Sequence, residues 1–274
     1  MPSSIPVLCG SIMGSPFSLS ARIHNAAYQA LGLDYTFVCF GVDDPEAAVA
    51  AIRTLGIRGS NVSMPYKQAV IEHLDELTEP ARAIGAVNTI NHVDGKLIGY
   101  NTDYIGAIRA LKEAVEPRGK RVAVLGAGGA ARAIVYGLVN EEAAVTVFNR
   151  TAEKAKALID DFDVSYGGDF DAFNADDFDV VINATSIGFR APDKTPLEAS
   201  QLSSHLVVMD VAFIPSRTRF IKEANGIGCT TVAGTRMMIH QSCGQVELYA
   251  GVDEAPFDTM QAAMLDEIER TESA

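Results

Sequence analysis

The stretch Val122-Ala123-Val124-Leu125-Gly126-Ala127-Gly128-Gly129-Ala130-Ala131, followed downstream by Ala144-Val145-Thr146-Val147-Phe148-Asn149-Arg150-Thr151, decides the fold. Val122 to Leu125 is a short apolar run of the kind that forms a strand buried on both faces. Gly126, Gly128 and Gly129 at its end permit a tight turn and a close approach of the backbone to a pyrophosphate. From Ala130 to Val139 apolar residues recur at helical spacing, and a helix starting there aims its unpaired N–H groups and positive dipole end at a phosphate. Small residues in this pattern also occur where a helix merely packs closely on a strand, so the downstream context carries the reading. The second strand, Ala144 to Phe148, ends where an NAD site places an acidic residue for the ribose 2′-hydroxyl. Asn149, Arg150 and Thr151 stand there instead. An arginine suits a 2′-phosphate and no carboxylate is present to repel one, so the expected cofactor is NADP rather than NAD.

Working outward, a helix (Ala152 to Asp160), strands at 179–182 and 206–211, a further helix and the segment Thr230 to Gly234 complete a doubly wound domain over residues 103–234. The polar stretch from Asp160 to Asp179 reads as solvated surface. Upstream, a strand (5–12), a helix (21–31), a strand (35–40) and a helix (44–55, with Pro45 in its first turn) alternate, as in an α/β domain. From Thr235 only helical patterns remain, up to Gly251 and again from Phe257 to Ile268; with no strand left to follow, they are expected to pack back on the first domain. The expected architecture is therefore α/β with two domains: an N-terminal α/β substrate domain, discontinuous over 1–102 plus 235–274, and a Rossmann-type NADP-binding domain. The cleft between them is the expected site.

The 274 residues, 48% of them hydrophobic, suffice for two cores. No apolar run approaches the length of a membrane span, and the N-terminus lacks the basic and apolar regions of a signal peptide, which points to a soluble, cytoplasmic chain. The four cysteines, Cys9, Cys39, Cys229 and Cys243, are far apart and form no metal-binding spacing, so they read as reduced thiols and no metal is expected. A net charge of −13 disfavours nucleic acid and anionic membranes as partners. Anionic ligands must then be held by local arrangements of donors.

Such arrangements fall at the ends of elements in the first domain. Ser18 and Ser20 lie one residue apart at a helix start, where two hydroxyls can hold a carboxylate; N-capping by Ser20 is the simpler reading of this segment alone. Gly56 to Lys67 is dense in polar groups, and Pro65 is expected to start a helix carrying Lys67. Asn61, Lys67, Asn88 and Asp103 all terminate elements, where open α/β sheets place ligand residues. His240 and His24 lie in apolar helical patterns with no carboxylate near in sequence, and both read as non-catalytic.

Taken together these segments resemble the shikimate dehydrogenase family over nearly the whole chain. The similarity lies in Ser18-Leu19-Ser20, Asn61-Val62-Ser63-Met64-Pro65-Tyr66-Lys67, Ala86-Val87-Asn88-Thr89, Gly99-Tyr100-Asn101-Thr102-Asp103, the glycine loop, Asn149-Arg150-Thr151, Asn183-Ala184-Thr185-Ser186, and Gly234 with Met237 and Gln241, in the family's order. The resemblance implies reversible, NADP-dependent reduction of 3-dehydroshikimate to shikimate, a step on the way to chorismate and the aromatic amino acids. It implies Lys67 and Asp103 as the catalytic pair, and Ser18, Ser20, Asn61, Ser63, Asn88 and Gln241 as ligands of a polyhydroxy acid. It also implies Gly126, Gly128, Gly129, Ala130, Ala131, Asn149, Arg150, Thr151, Thr185 and Gly234 as cofactor contacts, in a monomer or homodimer. This chain departs from the family pattern at Ala21 (usually Pro), Ser63 (Thr) and Phe213 (Tyr), and parts of it resemble the shikimate-dehydrogenase-like branch. A quinate/shikimate dehydrogenase or related paralogue, and a non-catalytic NADP-binding regulator, are the alternatives.

Overall fold

A computed structural model describes residues 5–273. Its contacts divide the chain into two units, one made of the chain up to Thr102 together with the segment from Gln241 onward, the other of Asp103 to His240.

The first unit is built from β1 (Val7–Met13), α1 (Leu19–Ala30), β2 (Tyr35–Gly41), α2 (Pro45–Leu55), β3 (Gly59–Val62), β4 (Glu76–Leu77), α3 (Glu79–Ile84), β5 (Thr89–Val93) and β6 (Lys96–Tyr100). Its six-stranded sheet runs β2-β1-β3-β5-β6-β4. β1 pairs in parallel with β2 and β3, whereas β5 is antiparallel to both β3 and β6, so the sheet is mixed. β5 and β6 are joined by Asp94-Gly95, whose φ angles of 50° and 78° match the two-residue hairpin turn that an Asp-Gly pair favours. α2 starts as its sequence demands: the Asp44 carboxylate accepts the Ala47 N–H at 3.1 Å, Pro45 follows, and Gly56 ends the helix in the left-handed region. Ile12, Val49, Ile52, Val62, Ile90 and Leu97 form the core between helices and sheet.

Two expectations in this unit are corrected. Ser20 is not the cap of α1; Ser18 is, and it makes no side-chain bond to the helix N–H groups. Pro65 does not start a helix either: residues 64–70 are consecutive turns, and Lys67 sits within them. The cause is a diverted carbonyl. Lys67 C=O accepts the N–H of Val87 at 2.8 Å, while the N–H of Ile71 goes to Gln68, so the ladder of an α-helix cannot form there.

The second unit contains α4 (Asp103–Lys112), β7 (Arg121–Leu125), α5 (Gly129–Asn140), β8 (Ala144–Phe148), α6 (Ala152–Phe162), β9 (Ser165–Gly168), β10 (Val180–Asn183), β11 (Val207–Asp210), α7 (Arg219–Ile227) and β12 (Thr230–Val232). All pairs are parallel in the order β12-β11-β10-β7-β8-β9, a doubly wound sheet whose direction of winding switches between β7 and β10. Val122 to Leu125 are fully buried because each face of the sheet is covered, one side with Ile134, Leu138 and Leu158, the other with Phe148, Phe178 and Phe220. The acidic stretch after α6 is not solvated surface throughout. It supplies the edge strand β9 and buries Phe170, Phe173 and Phe178, the last two stacked with ring centroids 5.5 Å apart. Its aspartates make this possible by closing short turns, as when Asp169 accepts the Phe170 N–H at 2.7 Å, which frees the aromatic neighbours to face inward.

α8 (Gly234–Ala250) begins in the second unit and ends in the first, and α9 (Phe257–Ser273) lies against α1. Among the described residues no helix is long and apolar enough to cross a membrane.

His24 of α1 is fully buried, stacked on Phe37 with centroids 4.2 Å apart, and its Nδ1 lies 2.8 Å from the Ser20 carbonyl. Burial pushes its pKa down from 6.5 to about 4. Between those values the unfolded chain binds the extra proton, so this contribution is complete above pH 6.5 and is lost as pH falls toward 4, by about 3 kcal/mol. Asp210 in the second unit has the opposite sign: burial raises its carboxyl to about 6, so its contribution is full below pH 3.8 and is lost as pH rises through 6. Acidification from pH 6.5 to 4 is therefore expected to lower amide-exchange protection around α1 more than around β10 and β11. His24→Phe should flatten the loss in the first unit, and equal losses in both units would contradict the assignment.

Candidate active site

Because the second sheet is wholly parallel, the ends of β7, β8, β10 and β11 share one edge, and the loops after them are neighbours. Gly126 follows β7 with φ of 112°, and a Cβ there would lie 2.9 Å from Thr185 Cγ2 and 3.1 Å from the Ala184 carbonyl oxygen. Only glycine lets those two loops meet. Gly128 caps α5 without any side-chain bond, and a Cβ on Gly128 or Gly129 would meet nothing within 4 Å. The start of this 12-residue helix is thus uncovered, which fits a pyrophosphate held by backbone N–H groups; Ala130 and the fully buried Ala131 continue it.

At the end of β8 the strand missed in sequence braces the expected cofactor segment. The Asn149 N–H donates to Gly168 C=O at 3.0 Å and the Tyr166 hydroxyl to Asn149 C=O at 3.0 Å, while Asn149 Nδ2 donates to Thr151 C=O at 2.8 Å. Arg150 is held exposed between them. After β10, Thr185 donates its N–H and hydroxyl to Asn183 Oδ1, at 3.1 and 2.7 Å, and Asn183 Nδ2 donates to Asp210 Oδ1 at 2.8 Å. Asp210 also accepts the Ala212 N–H and the Thr218 hydroxyl. This buried network sets the loops carrying Thr185 and Phe213; the Phe213 ring lies 5.2 Å from that of Phe189. Gly234 opens α8 so close to β11 that a Cβ would lie 2.3 Å from the Ala212 carbonyl oxygen.

In the first unit, strand register aligns Ser11 with Asn61, Asn61 with Thr89 and Thr89 with Tyr100. The row ends at Asn88, Ser63 and the turns of Lys67, because Val62 N–H donates to Asn88 C=O and Val87 N–H to Lys67 C=O, each at 2.8 Å. The amide of Asn88 is fixed: its Oδ1 accepts the Thr102 N–H at 2.7 Å and the Thr89 hydroxyl at 2.8 Å. Asn61 Oδ1 is committed to the Tyr249 hydroxyl at 2.8 Å, so what Asn61 offers a ligand is its NH2 group. Asp103 follows Thr102 directly, opens α4 and is 4% exposed. Gln241 is half-buried on α8, and the buried Ser20 lies in the first turn of α1.

Tyr249 and Gln245, whose Nε2 donates to Thr89 Oγ1 at 3.2 Å, are supporting residues that sequence reasoning passed over. The signal was available: Gln241, Gln245 and Tyr249 are spaced four apart and share a helix face. His240 does have a carboxylate partner, Glu113, with His240 Nε2 2.6 Å from Oε1, supplied from 127 residues away and shared with Arg236. Among the described residues no group of His, Cys, Asp and Glu could hold a metal ion.

Comparisons with known proteins agree over both units. A family model described as shikimate dehydrogenase substrate binding domain matches residues 12–90, and one described as shikimate / quinate 5-dehydrogenase matches residues 109–227. The shikimate dehydrogenase (NADP(+)) of Methanothermobacter thermautotrophicus is 40% identical over 267 residues, covering 92% of this chain and 94% of that protein. Among solved structures, a shikimate dehydrogenase in complex with NADP+ superposes with a TM-score of 0.91 at 36% identity, covering 96% of each chain. The ligand-free 5-ketofructose reductase of a Gluconobacter strain superposes with a TM-score of 0.88 at 36% identity, covering 96% of this chain and 99% of that one.

Proposed function

The chain belongs to the shikimate dehydrogenase family, NADP-dependent oxidoreductases acting on a CH–OH group, and from that premise we propose how its residues divide the work of interconverting 3-dehydroshikimate and shikimate. NADPH, when bound, supplies a hydride from nicotinamide C4 to the substrate's carbonyl carbon. The rest falls to the chain. The Lys67 ammonium donates its proton to the oxygen of the developing alkoxide and offsets the charge building there. Asp103 is the carboxylate that serves this amine as the second member of the catalytic pair. In the oxidative direction the amine takes the proton back from the hydroxyl. Asn61, Ser63, Asn88 and Gln241 bind the ring hydroxyls, and Ser18 and Ser20 the carboxylate. Backbone N–H groups at Gly126, Gly128, Gly129, Ala130 and Ala131 hold the pyrophosphate. Arg150, with Asn149 and Thr151, holds the 2′-phosphate, and the loops at Thr185 and Gly234 hold the nicotinamide half.

The observation that carries this reading is the 2.8 Å bond from Val87 N–H to Lys67 C=O, which ties the lysine turn to the segment bearing the locked amide of Asn88. Fixed donors of this kind suit a polyhydroxy substrate, since a site built to hydrogen-bond hydroxyls rejects analogues that lack them. The reading is tested by absorbance at the nicotinamide band with shikimate or quinate, each with NADP and NAD. Arg150→Ala is expected to raise the KM for NADP by about tenfold to a hundredfold, the loss of a charged hydrogen bond, and to leave the KM for NAD nearly unchanged. An equal rise for both cofactors would remove Arg150 from the 2′-phosphate. Faster turnover of quinate than of shikimate would favour the paralogue reading.

A further inference from the structure

Ser18 is one of the two hydroxyls assigned to the substrate carboxylate, and it is already engaged within its own unit. Its Oγ donates a hydrogen bond to the carboxylate of Glu267 on α9. Glu267 is 9% exposed, and its other oxygen lies 3.4 Å from Nε of Arg22, a side chain 58% exposed and therefore well screened by water. A serine hydroxyl has a single proton. Given to Glu267, it must be drawn out of that bond before it can serve an incoming carboxylate, and the formal negative charge of Glu267 then lies behind it. The first turn of α1 contains no acidic residue, so this charge reaches the helix start only through the packing of α9 on α1.

We propose that Glu267 is a specificity-determining residue. By holding the Ser18 proton and setting a negative charge beside the carboxylate position, it weakens the grip on an anionic substrate and opens the site to uncharged polyhydroxy ketones and alcohols of the same size. The proposal rests on the reading that Ser18 faces the substrate carboxylate. Like charges brought together in a partly desolvated site oppose binding strongly, whereas the same site meets an uncharged analogue without that opposition.

The test compares shikimate with its methyl ester, which keeps the ring and hydroxyls and removes the charge, in the wild type, Glu267→Gln, Glu267→Ala and Ser18→Ala. The wild type should turn over the ester with kcat/KM within about tenfold of the acid, because the charge it lacks is one the site disfavours. Glu267→Gln, which keeps the size and the acceptor for Ser18, should lower the KM for shikimate by about tenfold or more while that for the ester stays put. The change should fall on KM rather than kcat, and Glu267→Ala should move the acid-to-ester preference the same way. A wild type that rejects the ester, or an acid-to-ester ratio unmoved by both Glu267 variants, would overturn the proposal. Ser18→Ala separates the two levels. If it raises the KM for shikimate while the Glu267 variants change nothing, Ser18 keeps its role and the proposal falls alone. If Ser18→Ala changes neither substrate, both readings fall together.

Discussion

Lys67→Ala should cut turnover of shikimate with NADP by about a thousandfold, in the range that loss of a positioned general acid produces. Removing the ammonium also removes the charge that offsets the developing alkoxide, so the loss belongs in kcat and in kcat/KM alike. The fold should not suffer. Lys67 holds the neighbouring Val87 through its backbone carbonyl, which alanine retains, and its side chain is only half-buried. Melting temperature and NADP affinity are therefore expected to stay close to those of the wild type, and Lys67→Arg, which restores charge but not a proton that can be given up, should remain slow. A loss smaller than about tenfold would take the proton-donor role away from Lys67. A wild type that binds NADP and shikimate tightly yet shows no rate, with Lys67→Ala indistinguishable from it, would favour a non-catalytic regulator.

Gly234→Ala should destabilise the second unit by about 3 kcal/mol, or roughly 10 °C in melting temperature. The backbone angle there tolerates alanine; the obstacle is a neighbouring strand end. A Cβ would lie 2.3 Å from the Ala212 carbonyl oxygen and 2.6 Å from its carbon, and backbone cannot swing aside as a side-chain tip can. Ala212 is also held from the other side, its N–H bonded to the buried Asp210 at 3.0 Å, so displacing it disturbs the network through Asn183 and Thr218. Gly129→Ala is the contrasting control. A Cβ there meets nothing within 4 Å, so stability should be unchanged or slightly raised, while the KM for NADP should rise because the methyl occupies the space assigned to the pyrophosphate. Thermal melts and NADP titrations of the two variants measure both effects. The same melting loss in each, with no difference in NADP binding, would refute the division of labour.

How far the sequence could be read depended on the range of the interactions. The unit from Val122 to Phe148 was legible because its signals are local: a run buried on both faces, glycines, then a helical period, all of which the structure contains. β9 was not, since Ser165-Tyr166-Gly167-Gly168 is short, glycine-rich and set among aspartates, and it pairs only at the sheet edge with an irregular register at Val147 and Phe148. The hairpin at Asp94-Gly95 was readable and went unread. The Lys67 turns depend on a carbonyl claimed by Val87, and the partners of Ser18 and His240 arrive from distant helices, 249 and 127 residues away; periodicity carries no trace of such pairings.

The first unit is assembled from the two ends of the chain, and that has a consequence for its biogenesis. Translation delivers everything up to Thr102, then all of Asp103 to His240, and only then the segment from Gln241 that supplies Tyr249 and Glu267. At about 5–20 residues per second the opening segment waits roughly 7 to 30 s for its missing helices. Throughout that interval α1 lacks the helix it lies against and Asn61 lacks the hydroxyl that fixes its amide. The contiguous unit has every residue it needs earlier. A nascent chain stalled before α9 would thus have the second unit complete while the first still lacked the helix that packs on α1, and it is the segment up to Thr102 that a chaperone has reason to hold.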